Sequence, residues 1–181
     1  KETYRLLGAQ IVGYEGVDKR IDVLATAIRA KMTAVELKDL DLAYAPPYSS
    51  AKDPVNMAGF MIDNIANGTL KQWHLADLES LPMDGSVTLL DARTVGEYRR
   101  GHIDGFLNIP VDDLRERLNE LDRSKPIYVI CQSGLRSYIA SRILEGNGFA
   151  AYNFSGGFRF YDTAINDRAL VESSFTCGMD K

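Results

Sequence analysis

Two rhythms of apolar and polar residues run through this chain, and one gives way to the other near residue 69. In the first part, Ile21, Leu24, Ala25, Ile28 and Met32 recur at helical spacing and predict one amphipathic helix with Asp18 as its cap. Ahead of it, Arg5-Leu6-Leu7-Gly8-Ala9-Gln10-Ile11-Val12-Gly13 reads as one strand or the end of a hairpin. Thr33 followed by Glu36 is a capping-box pair and predicts a second, short helix. Residues 43–50 carry Pro46 and Pro47; the second disfavours α geometry at the first, so the segment reads as non-helical. Asp53 then caps a third helix with Pro54 at its first position. Val55, Ala58, Ile62 and Ile65 line one face of it, and Gly68 ends it. One strand and three helices do not complete a sheet, so residues 1–69 are expected to need a partner for an exposed strand edge.

From residue 70 onward short apolar runs alternate with helical patterns. Trp73-His74 reads as an edge strand, Leu75–Leu81 as a short helix and Val87–Leu90 as a strand. Thr94 with Glu97 is a second capping box, which starts a helix over 95–100. A strand at Leu107–Ile109 and a helix over 112–121 follow, the latter with Leu114, Leu118 and Leu121 inward. Then come a strand at 127–130, a helix at 137–146 stopped by Gly148, a strand at 150–153 and a helix after Gly157; residues 166–181 read as a packed or frayed tail. Alternation of this kind predicts an α/β fold with a mostly parallel sheet flanked by helices over residues 70–181. In such sheets the site lies at the carboxyl ends of the strands, where Asp91 and Cys131 fall.

Composition narrows the function. The 181 residues allow one large or two small domains, and 45% apolar content supports a real core. A formal charge of −4 and the lack of an arginine-rich face argue against nucleic acid as a partner. No apolar stretch reaches membrane-spanning length. The opening Lys1-Glu2-Thr3-Tyr4 resembles a cut inside a longer protein. Two cysteines, Cys131 and Cys177, make no disulfide framework, so a reducing, cytoplasmic setting is expected. No cluster of His, Cys and Asp suggests a metal.

The chemistry concentrates at one loop. Ile127-Tyr128-Val129-Ile130 is a buried-strand signature, and Cys131-Gln132-Ser133-Gly134-Leu135-Arg136-Ser137 follows it directly. A strand that ends in a tight loop and a helix N-terminus surrounds the thiol with backbone N–H groups. Such a setting favours a thiolate nucleophile. Gly134 permits the tight curve.

This loop resembles the active-site loop of rhodanese domains. The resemblance extends to Leu89-Leu90-Asp91-Ala92-Arg93, to Glu97-Tyr98-Arg99-Arg100-Gly101-His102-Ile103, to Leu107-Asn108-Ile109-Pro110 and to Gly156-Gly157-Phe158, in family order across about residues 70–165. Ala92 stands where Val is common, and Phe106 where Ala is common. The resemblance implies a sulfurtransferase that carries sulfane sulfur as a persulfide on Cys131. Gln132, Ser133, Gly134, Leu135 and Arg136 would form the anion-holding loop. Arg136 would brace that loop or assist the anion, or form an ion pair at a helix start. Asp91, Arg93 and Ser137 would support the loop, and His102 would be structural. Four residues separate Cys131 from Arg136, where related phosphatase and arsenate reductase loops have five. The shorter loop favours one sulfur atom over a tetrahedral oxyanion. Because the loop residues between them carry no charge, a persulfide or polysulfide carried by a small thiol fits better than thiosulfate; coenzyme A persulfide, or a coenzyme A thiol as partner, is what the resemblance implies.

Leu6–Gly13, Asp18-Lys19-Arg20-Ile21-Asp22 and Leu42–Ser49 resemble the end of the dimerisation domain of the flavin-dependent pyridine nucleotide–disulfide oxidoreductases, in the coenzyme A disulfide reductase and NADH oxidase branch. Residues 1–69 would then be a partial α+β dimerisation segment and the chain part of a homodimer. FAD, NAD(P)H and coenzyme A are implied for a full-length protein. None is expected in this fragment, which has no Gly-x-Gly-x-x-Gly after a strand. The resemblance places Tyr44, and less closely Tyr48, near the partner subunit's redox site; packing of both rings over helix ends is the alternative. A rhodanese-like module that only binds or supports its partner domain is the competing functional reading.

Overall fold

A computed structural model describes residues 2–174, with side chains to Asp167. Cys177 lies outside the described residues. The chain separates into two compact units, Lys1–Thr69 and Leu70–Lys181.

In the first unit, helix α1 (Val17–Arg29), a 3-10 turn (Val35–Asp39) and helix α2 (Pro54–Ala66) enclose a small core of Ala27, Leu37 and Val55. Asp53 accepts from the Val55 N–H as the α2 cap, and it also pairs with Arg20 of α1 at 3.0 Å. The buried Asn56 amide donates to the Leu37 and Leu40 carbonyls and so bolts the 3-10 turn to α2. Thr33 and Glu36 form the expected reciprocal bonds, but the element they start is a 3-10 turn. Two other expectations fail here. Asp18 does not cap α1; Gly16 in the left-handed region precedes it, and Asp18 sits in the first turn, where its charge suits the helix dipole. Residues 5–13 form no strand. Arg5 makes a single antiparallel bridge with Thr33, while Leu7 and Val12 are 86% and 90% exposed. A ladder needs a neighbour along its whole length, and Thr33 leads at once into the 3-10 turn.

The second unit holds one five-stranded sheet, ordered β1-β5-β4-β2-β3 and parallel throughout. Its strands are β1 (Gln72–Trp73), β2 (Thr88–Asp91), β3 (Leu107–Asn108), β4 (Ile127–Ile130) and β5 (Ala151–Phe154). Helices α3 (Val95–Arg100), α4 (Leu135–Gly146) and α5 (Gly157–Ser174) cross between or follow them. Alternate residues go to opposite faces. Leu90, Ile127 and Val129 join Leu114, Ala140 and Leu144 on one side; Leu89 and Ile130 join Trp73, Phe106 and Phe154 on the other. The expected helix over 112–121 is instead a chain of tight turns with a 3-10 turn at Leu118–Glu120. Successive bonds there span three residues, Asp113 to Pro110, Glu116 to Asp113 and Arg117 to Leu114. Leu114 and Leu121 are buried all the same, so core burial set the apolar spacing without an α-helix. Residues 75–80 likewise form a 3-10 turn, and α5 runs through to Ser174 where a tail had been expected from 166.

Candidate active site

Cys131 directly follows β4, a central strand, and is fully buried. The carbonyl groups of Cys131, Gln132 and Gly134 all have donors of their own. The first N–H groups of α5 take two of them: Phe158 donates to the Cys131 carbonyl at 2.7 Å and Arg159 to the Gln132 carbonyl at 3.1 Å. The Gly134 carbonyl accepts from the Tyr138 N–H and the Asn153 amide, and the Ser137 Oγ lies 3.1 Å from it. With these oxygens engaged, donors face the sulfur. The Gly134 N–H lies 3.1 Å from Cys131 Sγ and the Ser137 Oγ 3.3 Å from it.

Two glycines make this possible. Gly134 has φ +107°, which L side chains rarely adopt. Gly157 has φ +70°, and a Cβ there would stand 2.6 Å from the Gln132 carbonyl oxygen and 2.5 Å from the Ser133 nitrogen. The close approach of α5 to the loop therefore requires glycine.

Asp91 and Arg93 form a fully buried ion pair at 2.7 Å, with Nε contacting both carboxylate oxygens. The guanidinium also donates to the Gly101 carbonyl and to Gln132 Oε1, and it lies 3.8 Å over the Phe158 ring. One arginine thus ties together the end of β2, the exit of α3, the loop and the start of α5. Ser137 sits in the first turn of α4, beneath the sulfur.

Arg136 points to Glu97 and makes a two-pronged ion pair with it at 2.6 and 2.7 Å. Of the alternatives open to Arg136, this is the ion pair, and it braces the loop against α3. The Arg136 guanidinium, with a smaller contribution from Thr94, holds the Glu97 carboxyl down at about 2 against an ordinary 4.5. Glu97 in turn raises Arg136. As a site partner Glu97 escapes the sequence reading because its capping-box role accounts for it fully; its second carboxylate contact is decided by folding. Asn153 is missed because it falls within an ordinary strand run, and Phe158 enters the sequence reading only through the Gly156-Gly157-Phe158 element, without a role at the site. His102 stacks on Tyr98 and bonds its carbonyl, a structural placement.

A polar cleft of about 600 Å³ opens beside the loop, lined among others by Glu97, Arg100, Gln132, Phe158 and Arg159. Ser133 and Leu135 are exposed at the loop's crest. Tyr44 and Tyr48 belong to the first unit and are 53% and 83% exposed around the turn at 46–48. Among the described residues no group of acidic, His and Cys side chains is arranged to hold a metal, and no helix is long and apolar enough to cross a membrane.

A buried cysteine at the end of a parallel strand, under a short loop that brings the Gly134 N–H onto its sulfur, fits a rhodanese-type sulfurtransferase domain. Residues 74–163 match the rhodanese-like domain family, and residues 1–54 match the dimerisation domain of the pyridine nucleotide-disulphide oxidoreductases. The chain is thus a rhodanese-like domain joined to part of such a dimerisation domain. It is 54% identical over 56 residues to the coenzyme A disulfide reductase of Staphylococcus aureus strain bovine RF122 / ET3-1, covering 31% of this chain and 13% of that protein. Over 71 residues it is 39% identical to the putative sulfur carrier protein YrkF of Bacillus subtilis strain 168, covering 39% of this chain and 38% of that one. Among solved structures, the reduced CoADR-RHD of Bacillus anthracis is similar at 46% identity and a TM-score of 0.80, over 85% of this chain and 28% of that one. A NAD-dependent persulfide reductase from A. fulgidus is similar at 42% identity and a TM-score of 0.76, over 89% and 28%. The chain therefore spans under two fifths of the length of each of these relatives.

Proposed function

We propose that Cys131 takes a sulfane sulfur from a small persulfide or polysulfide and passes it to a thiol. The observation that carries this reading is the loop whose carbonyls are taken by other donors while the Gly134 N–H and the Ser137 hydroxyl lie within reach of the sulfur. The Cys131 thiolate attacks the outer sulfur of R–S–SH, the inner S–S bond breaks, and RS⁻ leaves; Cys131 now carries –S–SH. Loss of its proton gives a persulfide anion, which the same donors stabilise. An acceptor thiolate then takes the outer sulfur and returns Cys131 as thiolate. Asp91, Arg93 and Ser137 hold the loop in shape, and Gln132, Ser133, Gly134 and Leu135 form it. Arg136 acts through its brace to Glu97 and does not face the substrate.

The site's own features favour a slender donor. Cys131 exposes no surface, so the reacting sulfur must reach a buried atom. A terminal sulfur on a thin chain suits that approach better than a branched dianion. Coenzyme A persulfide is the donor suggested by the relatives, which include coenzyme A disulfide reductases and a NAD-dependent persulfide reductase. On this reading the chain is part of a cytoplasmic, homodimeric reductase whose FAD and NAD(P)H are held by other domains. Residues 1–69 supply part of its dimer contact, and Tyr44, with Tyr48 beside it, reaches the partner's redox site.

Intact-protein mass spectrometry tests the central step. After exposure to a persulfide donor, the chain should gain about 32 Da, one sulfur. Cyanide should remove it as thiocyanate. Cys131→Ser should fold normally and gain nothing; an equal gain on that variant would move the chemistry to Cys177 and end the assignment. No gain on the unaltered chain would favour a binding module.

A further inference from the structure

Ser137 has one hydroxyl proton and two acceptors within reach, Cys131 Sγ at 3.3 Å and the Gly134 carbonyl at 3.1 Å. It can serve only one of them at a time. Sulfur is the larger acceptor, so 3.3 Å is an ordinary length to it while 3.1 Å is long for a bond between oxygens, and the two acceptors compete for the proton. The Gly134 carbonyl has two lone pairs. The Tyr138 N–H at 3.0 Å, at the first turn of α4, takes one. For the other, Ser137 competes with the Asn153 amide, which reaches across from β5 at 3.4 Å.

Asn153 is a costly residue to place here. It is 4% exposed, and its Oδ1 is buried with no partner. The amide cannot be turned over to relieve this, because the Gly134 carbonyl accepts and needs the N–H side. A buried, half-satisfied amide lowers stability relative to an apolar side chain of the same shape. Groups kept at such a cost commonly serve a site. We propose that Asn153 is a positioning residue: its amide occupies the Gly134 carbonyl, so that the single proton of Ser137 stays on the Cys131 sulfur. This deepens the sulfur-transfer reading by naming what directs the hydroxyl toward the anion. It concerns the thiolate itself, before any sulfur arrives.

The test uses the full chain in a Cys177→Ser background, so that one thiol remains, and follows alkylation of Cys131 by iodoacetamide at pH 7. Asn153→Leu removes the donor together with the orphan oxygen. Its melting temperature should hold or rise, while alkylation should slow about tenfold, the effect of one lost hydrogen bond to an anion. Asn153→Asp keeps the shape without the donor and provides a second variant should the first fold poorly; it too should slow alkylation. The decisive arm adds Ser137→Ala. With no hydroxyl left to direct, Asn153→Leu should change the rate less than twofold. Alkylation within twofold of the parent in either folded Asn153 variant would overturn the proposal. So would an undiminished effect of Asn153→Leu in the Ser137→Ala background, which would mean that Asn153 only packs the loop. Because alkylation needs no sulfur donor, these results stand apart from the mass-gain experiment. A failure of sulfur uptake with the expected alkylation pattern would remove the sulfurtransferase reading and leave Asn153's role intact.

Discussion

Glu97→Gln isolates the brace on the active-site loop. Glutamine at this position can still complete the capping box with Thr94, so the change removes the charge and the ion pair and spares the start of α3. The fall of Glu97 from 4.5 to about 2 corresponds to about 3 kcal/mol of interaction that favours the ionised, folded form. The Glu97 and Arg136 side chains are 20% and 30% exposed, so solvent screening reduces the contribution to about 1–2 kcal/mol. The folded value lies below the unfolded one. The stabilisation is therefore full above about pH 5 and is lost as pH falls through about 2. Urea unfolding of the parent and variant at pH 7 should differ by about 1–2 kcal/mol, and that gap should shrink to roughly half or less near pH 3. Sulfur uptake by Cys131 should slow at pH 7, because the loop loses its tie to α3. Equal stability at pH 7, or a gap that stays constant down to pH 3, would show that the ion pair contributes nothing and that the depressed carboxyl is not its signature.

Other substitutions test neighbouring parts of the site. Arg93→Leu leaves Asp91 buried without its cation and should cost about 3–5 kcal/mol in urea unfolding; a loss below about 1 kcal/mol would show that the carboxyl is easily resolvated. Gly157→Ala meets the Gln132 carbonyl oxygen at 2.6 Å at φ +70°, so it should lower stability by at least about 2 kcal/mol and impair sulfur uptake, read by melting and by mass gain. In a full-length flavin-containing protein, Tyr44→Phe should lower reductase turnover with little change in melting temperature; unchanged turnover with lost stability would assign the half-exposed ring to packing alone. Light scattering should give a dimer or larger for this chain at micromolar concentration, and a fully folded monomer would count against a dimer contact in residues 1–69.

Local chemistry made much of this protein legible from its sequence. The Thr94–Glu97 box, the Asp53-Pro54 helix start, the apolar run before Cys131 and Gly134 after it depend on residues within a few positions of each other, and each lies where expected. The parallel sheet followed from alternation, because a strand buried on both faces and a one-sided helix pack only in layers. What the sequence could not settle was anything held between distant segments. Residues 5–13 carry strand-like residues yet make no ladder, since a strand is defined by its neighbour. Residues 112–121 have helical spacing but close into tight turns, since burial of Leu114 and Leu121 needs only that they face the core. The partners of Arg136, 39 positions from Glu97, and of Asn153, 19 from Gly134, arise when β2, β4 and β5 align and bring their carboxyl ends to one edge. The nucleophile could be read from its own neighbourhood; the donors that steer the proton onto it exist only once the sheet has formed.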